Sequence, residues 1–339
     1  MNLRRRLYTI CIAALGAALF LWLDLPLPML LGPMFLCLAF ALGGAAMEGI
    51  GVVGTAFRTL LGVAAGSSIT PAAAAAVPEL ALSLMLVPVF VATVAMLSFP
   101  LMRRVFGFDR VTSYFCAMPG GLQDLVVFGE QAGGNLRVLS LVHATRILLI
   151  VSAAPFLLDW IWHVDLLARP GRPAADVPPA QILWMIAAGL GGWWAAARLR
   201  IFGASIIGPM AVTAALSLSG VITGRPPAEM IWASQFAIGL AVGAKYAGVT
   251  WGELRRVVLA GAVNGVLLTA VSAVFILAIG AAAIAPPLEA FLAFVPGGQG
   301  EMVVLAIIAG ADLGYVVLHH IARIALVVTC APLVLRLAR

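Results

Sequence analysis

The sequence predicts an all-α polytopic membrane protein built from two inverted-topology repeats, and three observations carry that prediction. Hydrophobic residues make up 63% of the 339-residue chain and charged residues 10%, with a mean hydropathy of +1.11, whereas soluble domains carry about 25% charged residues. Apolar runs of about 20 residues, enough to cross a ~30 Å hydrocarbon core, recur from end to end. A polar, glycine-rich segment then occurs twice, at a fixed offset.

Taken in order, the first half reads as helices near 8–24, 26–44, 50–68 and 79–101, a broken segment at 112–133 and a long helix at 136–160. The opening stretch, MNLRRRLYTICIAALGAALFLWLDL, has the basic start and apolar core of a signal peptide. No small-x-small cleavage site precedes Asp24 and the repeat gives the stretch a partner, so it is expected to be retained as the first helix. The linker RPGRPAADVPP divides the chain into repeat 1 (1–165), a connection (166–180) and repeat 2 (181–339). The polar interval Asp165–Pro179 is too short for a soluble domain. Cys11, Cys37, Cys116 and Cys330 sit in apolar runs with neither metal nor disulfide spacing, and read as small core residues.

The doubled segment is PGGLQDLVVFGEQAGGNLRVLSLVHATRI from Pro119 and PGGQGEMVVLAIIAGADLGYVVLHHIARI from Pro296, an offset of 177. Over 119–151 against 296–328 there are 14 identities in 33 positions, without a gap. Asp124 faces Glu301, Asn135 faces Asp312, His143 faces His320 and Arg146 faces Arg323. Outside it, LLGPM at 30–34 matches IIGPM at 206–210, and Gly62 and Gly66 match Gly239 and Gly243. The chain is therefore an internal duplication.

Loop charges set the orientation of the halves. Arg4–Arg6, Arg103, Arg104 and Arg110 are the basic clusters of the first half; Arg198, Arg200, Arg255 and Arg256 are those of the second. Shifted by 177 they do not coincide, so each half is basic where the other is not, and the positive-inside rule turns the halves in opposite directions. Opposite halves need an odd number of crossings each. Five crossings plus one re-entrant hairpin per half satisfies that, with a cytoplasmic N-terminus.

Pro-Gly-Gly in an apolar segment breaks the helix and frees main-chain groups, which is tolerable in lipid only where protein or a water-filled cavity surrounds them. The helix restarts after it, so N–H groups near Gly120, Gly121, Gly297 and Gly298 can face an anion, or the glycines can serve a structural kink. Asp124 and Glu301 fall in the first turn of the restarted helix, either as caps or as groups that bind a cation or exchange a proton. Arg146 and Arg323 lie 11 residues past Asn135 and Asp312, about 16 Å along a helix and mid-membrane. His143 and His320 share their helical face. An arginine there must pair with an acid, as a structural ion pair, or clamp an anionic ligand. Lys245 stands where the first half has Ser68; it can take the place of a cation or snorkel from a helix end. His319 has no counterpart, and Glu130 and Arg137 flank the hairpin exit.

Four histidines without a His-x-x-x-His pair are too few for a copper or di-iron oxygenase site, and no nucleotide-binding loop or DNA-binding pattern occurs. The sequence isoelectric point of 9.7 comes from arginines scattered among short loops and does not imply nucleic acid.

The paired PGG…D/E…G(A/G)(N/D)…H..R segments resemble the AbrB duplication family of bacterial inner-membrane proteins, along the whole chain. Members of that family carry either an ammonia monooxygenase label or a regulator label, and they do not share the small DNA-binding fold of the soluble AbrB transcription factor. The family is similar in design to inverted-repeat transporters with glycine-rich re-entrant loops. The expectation is a multi-pass secondary transporter in the bacterial inner membrane, not an enzyme and without a cofactor. Gly120, Gly121, Gly297, Gly298, Arg146, Arg323, His143 and His320 would bind a small organic anion. Asp124, Glu301, Asn135, Asp312 and Lys245 would handle H⁺ or Na⁺. The lipid bilayer is its surrounding partner and a homodimer an allowed assembly; a membrane sensor and a metal-dependent monooxygenase are the rival classes.

Overall fold

In the computed structural model the description covers residues 3–71, 80–201 and 203–337; the side chains of Gln123, Asp124, Val328 and residues 331–337 lie outside it. Among the described residues the chain is helical and has no strand. In the first half, α1 is Leu3–Trp22, α2 Pro28–Leu42, α3 Val52–Ser67 and α4 Ala81–Val105. The break divides α5 (Arg110–Ala117) from α6 (Leu122–Gln131), and α7 is Leu136–Trp162. Each lies within five residues of its expected bounds. The second half repeats the series: α8 Pro179–Arg198, α9 Ala204–Leu218, α10 Ala228–Ala244, α11 Trp251–Ala281, α12 Pro287–Phe294, α13 Gln299–Ile308 and α14 Leu313–Leu337.

Among the described residues five helices, α1, α4, α7, α8 and α11, are long and apolar enough by themselves to cross a membrane. Of the others, all but α14 are shorter. α2 starts at Pro28 and stops before Gly43, and α3, α9 and α10 run 15–17 residues, about 22–26 Å at 1.5 Å per residue.

The chain forms two compact units, and neither is a sequence half. One holds Met1–Val77, Ala154–Val249 and Val303–Gly314; the other holds Pro78–Ala153, Thr250–Met302 and Tyr315–Arg339. The first unit is built on glycines. Gly16 and Gly32 bring α1 and α2 into backbone contact, and Gly192 and Gly208 do the same for their counterparts α8 and α9. Gly62 and Gly66 of α3 lie on the carbonyls of Ile206 and Met210 in α9; Gly239 and Gly243 of α10 lie on those of Leu30 and Met34 in α2. The matching sequences LLGPM and IIGPM thus each receive the glycine face of the other repeat. The Ser234 hydroxyl donates to the Phe57 carbonyl at 2.7 Å, joining two residues that are themselves 177 apart.

The second unit centres on α4 and α11, repeat counterparts that run antiparallel. Ser98 hydrogen-bonds Asn264, while further along Phe90 meets Phe275 edge-on at 5.4 Å. Here α5 and α6 fold back on each other: Gly129 packs against Phe115, and the Asn135 amide donates to the Thr112 hydroxyl at 2.8 Å.

A Cβ at Gly62 or Gly239 would overlap the Ile206 or Leu30 carbonyl oxygen. Gly62→Val and Gly239→Val should each lower unfolding stability by about 1–3 kcal/mol or more. Gly191→Ala, where a Cβ meets nothing within 4 Å, should not, and thermal unfolding of purified protein reads the difference.

Candidate functional site

Both Pro-Gly-Gly breaks lie in the second unit, and each ends a short helix whose last carbonyls have no partner in the helix. In an apolar interior such a carbonyl costs about 1–3 kcal/mol if left unpaired. Long-helix side chains collect them. Arg146, fully buried in α7, donates from Nη1 to the Met118 carbonyl at 3.1 Å and from Nη2 to that of Gly120 at 2.6 Å. Arg323 in α14 repeats this 177 residues on, with Nη1 to Val295 at 3.4 Å and Nη2 to Gly297 at 3.3 Å. Its Nη2 also donates to His320 Nδ1 at 2.7 Å, which leaves Nε2 of the neutral imidazole to donate to the Leu292 carbonyl at 3.0 Å. His143, equally buried, faces the Phe115 carbonyl but forms no bond of ordinary geometry.

Helix α11 serves both breaks. Asn264 Nδ2 donates to the Cys116 carbonyl at 3.0 Å, and Asn264 Oδ1 accepts from the Ser98 hydroxyl. Two turns on, the Ser272 hydroxyl donates to the Phe294 carbonyl at 2.9 Å. The two residues are eight positions apart, about 12 Å along the helix, so the two breaks flank one stretch of α11. Glu301 is close enough for its charge to act on Arg146, as is Arg146 for Arg323.

Among the described residues neither Arg146 nor Arg323 is within salt-bridge distance of a carboxylate, and the Nε of each is buried without a hydrogen-bond partner. Glu301 is buried, its carboxylate folded over Gly298 where a Cβ would overlap it. Beside it, the first residue of α13, Gln299, is buried with Nε2 unpartnered. The Asp124 side chain is outside the described residues.

The remaining expected residues are spread more widely. Asn135 caps α7, its Oδ1 accepting from the Val138 amide at 3.0 Å. Asp312, exposed, immediately precedes α14. Lys245 is exposed at the end of α10, in the first unit. Among the described residues no three His, Cys, Asp or Glu side chains gather as a metal-binding group.

Sequence reasoning missed Asn264, Ser98, Ser272 and Gln299. Asn264 had a signal, as the lone amide in the apolar run Leu259–Ala281. His319, unmatched in the repeat, bonds through Nε2 to Ser83 at 2.9 Å and stacks on Tyr315 at 4.1 Å.

A duplicated, all-helical chain with five helices fit to cross a membrane and two buried arginine-held helix breaks defines a class of polytopic membrane-type protein. A family profile described as "Transition state regulatory protein AbrB" matches residues 29–339, and the chain belongs to that family. It is also 29% identical over 258 residues, 70% of its length, to "Uncharacterized protein YhjN" of Bacillus subtilis (strain 168), of which the match spans 66%. Neither description names an enzymatic activity. No solved structure matches.

Asn264→Leu removes the partner of both the Cys116 carbonyl and the Ser98 hydroxyl. It should cost about 1–3 kcal/mol, and Asn264→Gln should recover little, because its extra methylene displaces the amide. Chemical unfolding of the two variants in detergent tests this.

Proposed function

We propose that the protein is a secondary active transporter of a small organic anion, coupled to H⁺ or Na⁺ and working by alternating access. The observation that carries this reading is the pair of buried arginines, whose hydrogen bonds go to neutral carbonyls and a neutral histidine. Neither buried guanidinium is hydrogen-bonded to a carboxylate among the described residues, and a buried cation without such a partner calls for an anion. Arg146 and Arg323 hold the breaks open and supply the field. The restarted helices α6 and α13 offer first-turn N–H groups, and Gln299 Nε2 and the two Nε atoms are the spare donors. Glu301 is the acid that exchanges a proton or meets a cation.

The antiparallel run of α4 and α11 supports inverted halves, and the fold-back of α5 and α6 supports a re-entrant hairpin. Ten crossings with the N-terminus cytoplasmic complete the arrangement. Movement of the bundle that carries the breaks then exposes the site to either side in turn. The family description speaks of regulation; a sensor using the same site would bind the anion without moving it.

A thermal-shift screen of small mono- and dicarboxylates on purified protein should find at least one that stabilises it. A ligand at 100-fold its Kd adds about 2.7 kcal/mol. In proteoliposomes the same anion should accumulate, and Glu301→Gln should abolish accumulation while the protein stays folded and still binds. Binding without accumulation in the unaltered protein favours the sensor; no stabilising anion leaves the arginines as scaffolding.

A further inference from the structure

Away from the breaks, the second unit carries a cluster of arginines at the adjoining ends of α4 and α11. Each end is a π-helical turn, Leu101–Val105 and Leu254–Val258, and each turn bears an arginine pair. The pairs are side by side. Arg256 donates from Nε and Nη2 to the Phe106 carbonyl at 3.1 and 3.0 Å, reaches that of Gly107 at 3.1 Å, and lies 5.5 Å from the centre of the Phe108 ring. Arg103 donates to the Phe108 carbonyl at 2.8 Å. Arg256 ties the two turns together and Arg103 closes its own segment, so both are half committed. Arg104, Arg110 and Arg255 are exposed and make no hydrogen bond among the described residues.

The acids nearby do not balance this charge. Glu253 accepts from Arg137 at 2.9 Å and from the Thr250 amide at 2.8 Å. Asp109 caps α5 through the Thr112 amide at 2.9 Å. Arg255 and Arg256 also sit near the positive end of the α11 dipole, where a cation is disfavoured unless an anion joins it.

Beside the arginines are large apolar groups turned outward. Trp251 is 66% exposed and Val105 69%, and Arg255 lies 5.2 Å from the centre of the Trp251 ring. Both helices are long enough to cross a membrane, so their ends belong at its surface, where tryptophan and arginine meet headgroups.

We propose that the arginine cluster at the joined ends of α4 and α11 binds the headgroup of an acidic phospholipid, with Arg104, Arg110 and Arg255 on the phosphate and Trp251 and Val105 against the upper acyl chain. The two π turns serve this site by setting consecutive arginines outward at a helix end, a place where such turns commonly carry function. The assignment is independent of what the breaks transport.

Native mass spectrometry of the purified full-length protein, titrated with phosphatidylglycerol or with phosphatidylcholine of the same acyl chains, tests it. The unaltered protein should retain phosphatidylglycerol preferentially. Arg104→Gln/Arg255→Gln should weaken that retention by roughly tenfold or more, leave phosphatidylcholine retention unchanged and remain folded, since neither side chain makes a hydrogen bond among the described residues and Arg255 stacks only on the exposed Trp251. Arg104→Lys/Arg255→Lys should keep most of it. No preference in the unaltered protein would overturn the proposal. Equal loss from Arg198→Gln/Arg200→Gln, a basic pair in the other unit, would also do so, because net charge would then be the cause.

Discussion

The constraint on which the second unit depends is the pairing of main-chain carbonyls released where Pro-Gly-Gly stops a helix inside an apolar interior. Helix breaks free these groups whatever the chain's function, and lipid supplies no hydrogen to replace the lost bond. The chain answers from outside the broken helices. Arg146 and Asn264 cover one break, and Arg323, His320 and Ser272 the other. Charge-assisted bonds to carbonyl oxygen are the stronger kind, but they bring a cost, since each guanidinium must itself be buried. The stable break and the buried cation are therefore one feature: the residue that makes the loop tolerable also places a guanidinium in the interior.

The two copies meet this constraint unequally. Arg146 makes the shorter bonds, at 2.6 and 3.1 Å, whereas Arg323 reaches its carbonyls at 3.3 and 3.4 Å and spends a donor on His320. The second break is thus held less by its arginine and more through the histidine.

Much of this was legible in the sequence because it rests on local chemistry. Helix breakers and apolar run lengths place α1 to α7, and the offset of 177 transfers them to the second half. That Arg146 and His143 share a face follows from the helical period. What lies across from that face does not. The expected partners of the arginines were acids or a ligand, while the structure gives carbonyl oxygens, which every sequence has and none advertises. Asn264 and Ser272 align with Val87 and Ala95 in the other half, so the duplication could not point to them. Lys245 aligned with Ser68 in a glycine-rich helix, and only the helix end reveals its exposure. The sequence halves are likewise invisible as compact bodies, because each unit takes helices from both.

The glycine contacts of the first unit bear on how the chain is made. Gly62 and Gly66 close on Ile206 and Met210, and Leu30 and Met34 wait for Gly239 and Gly243. In the folded chain each glycine face packs on the other repeat and not on its own. During synthesis at about 5–20 residues per second, the first repeat must stand with that face uncovered for on the order of ten seconds or more. A gene for the first half alone would therefore yield a chain without the partner that its closest-packed helix has in the full chain, and two separately made halves would have to find each other to form either unit.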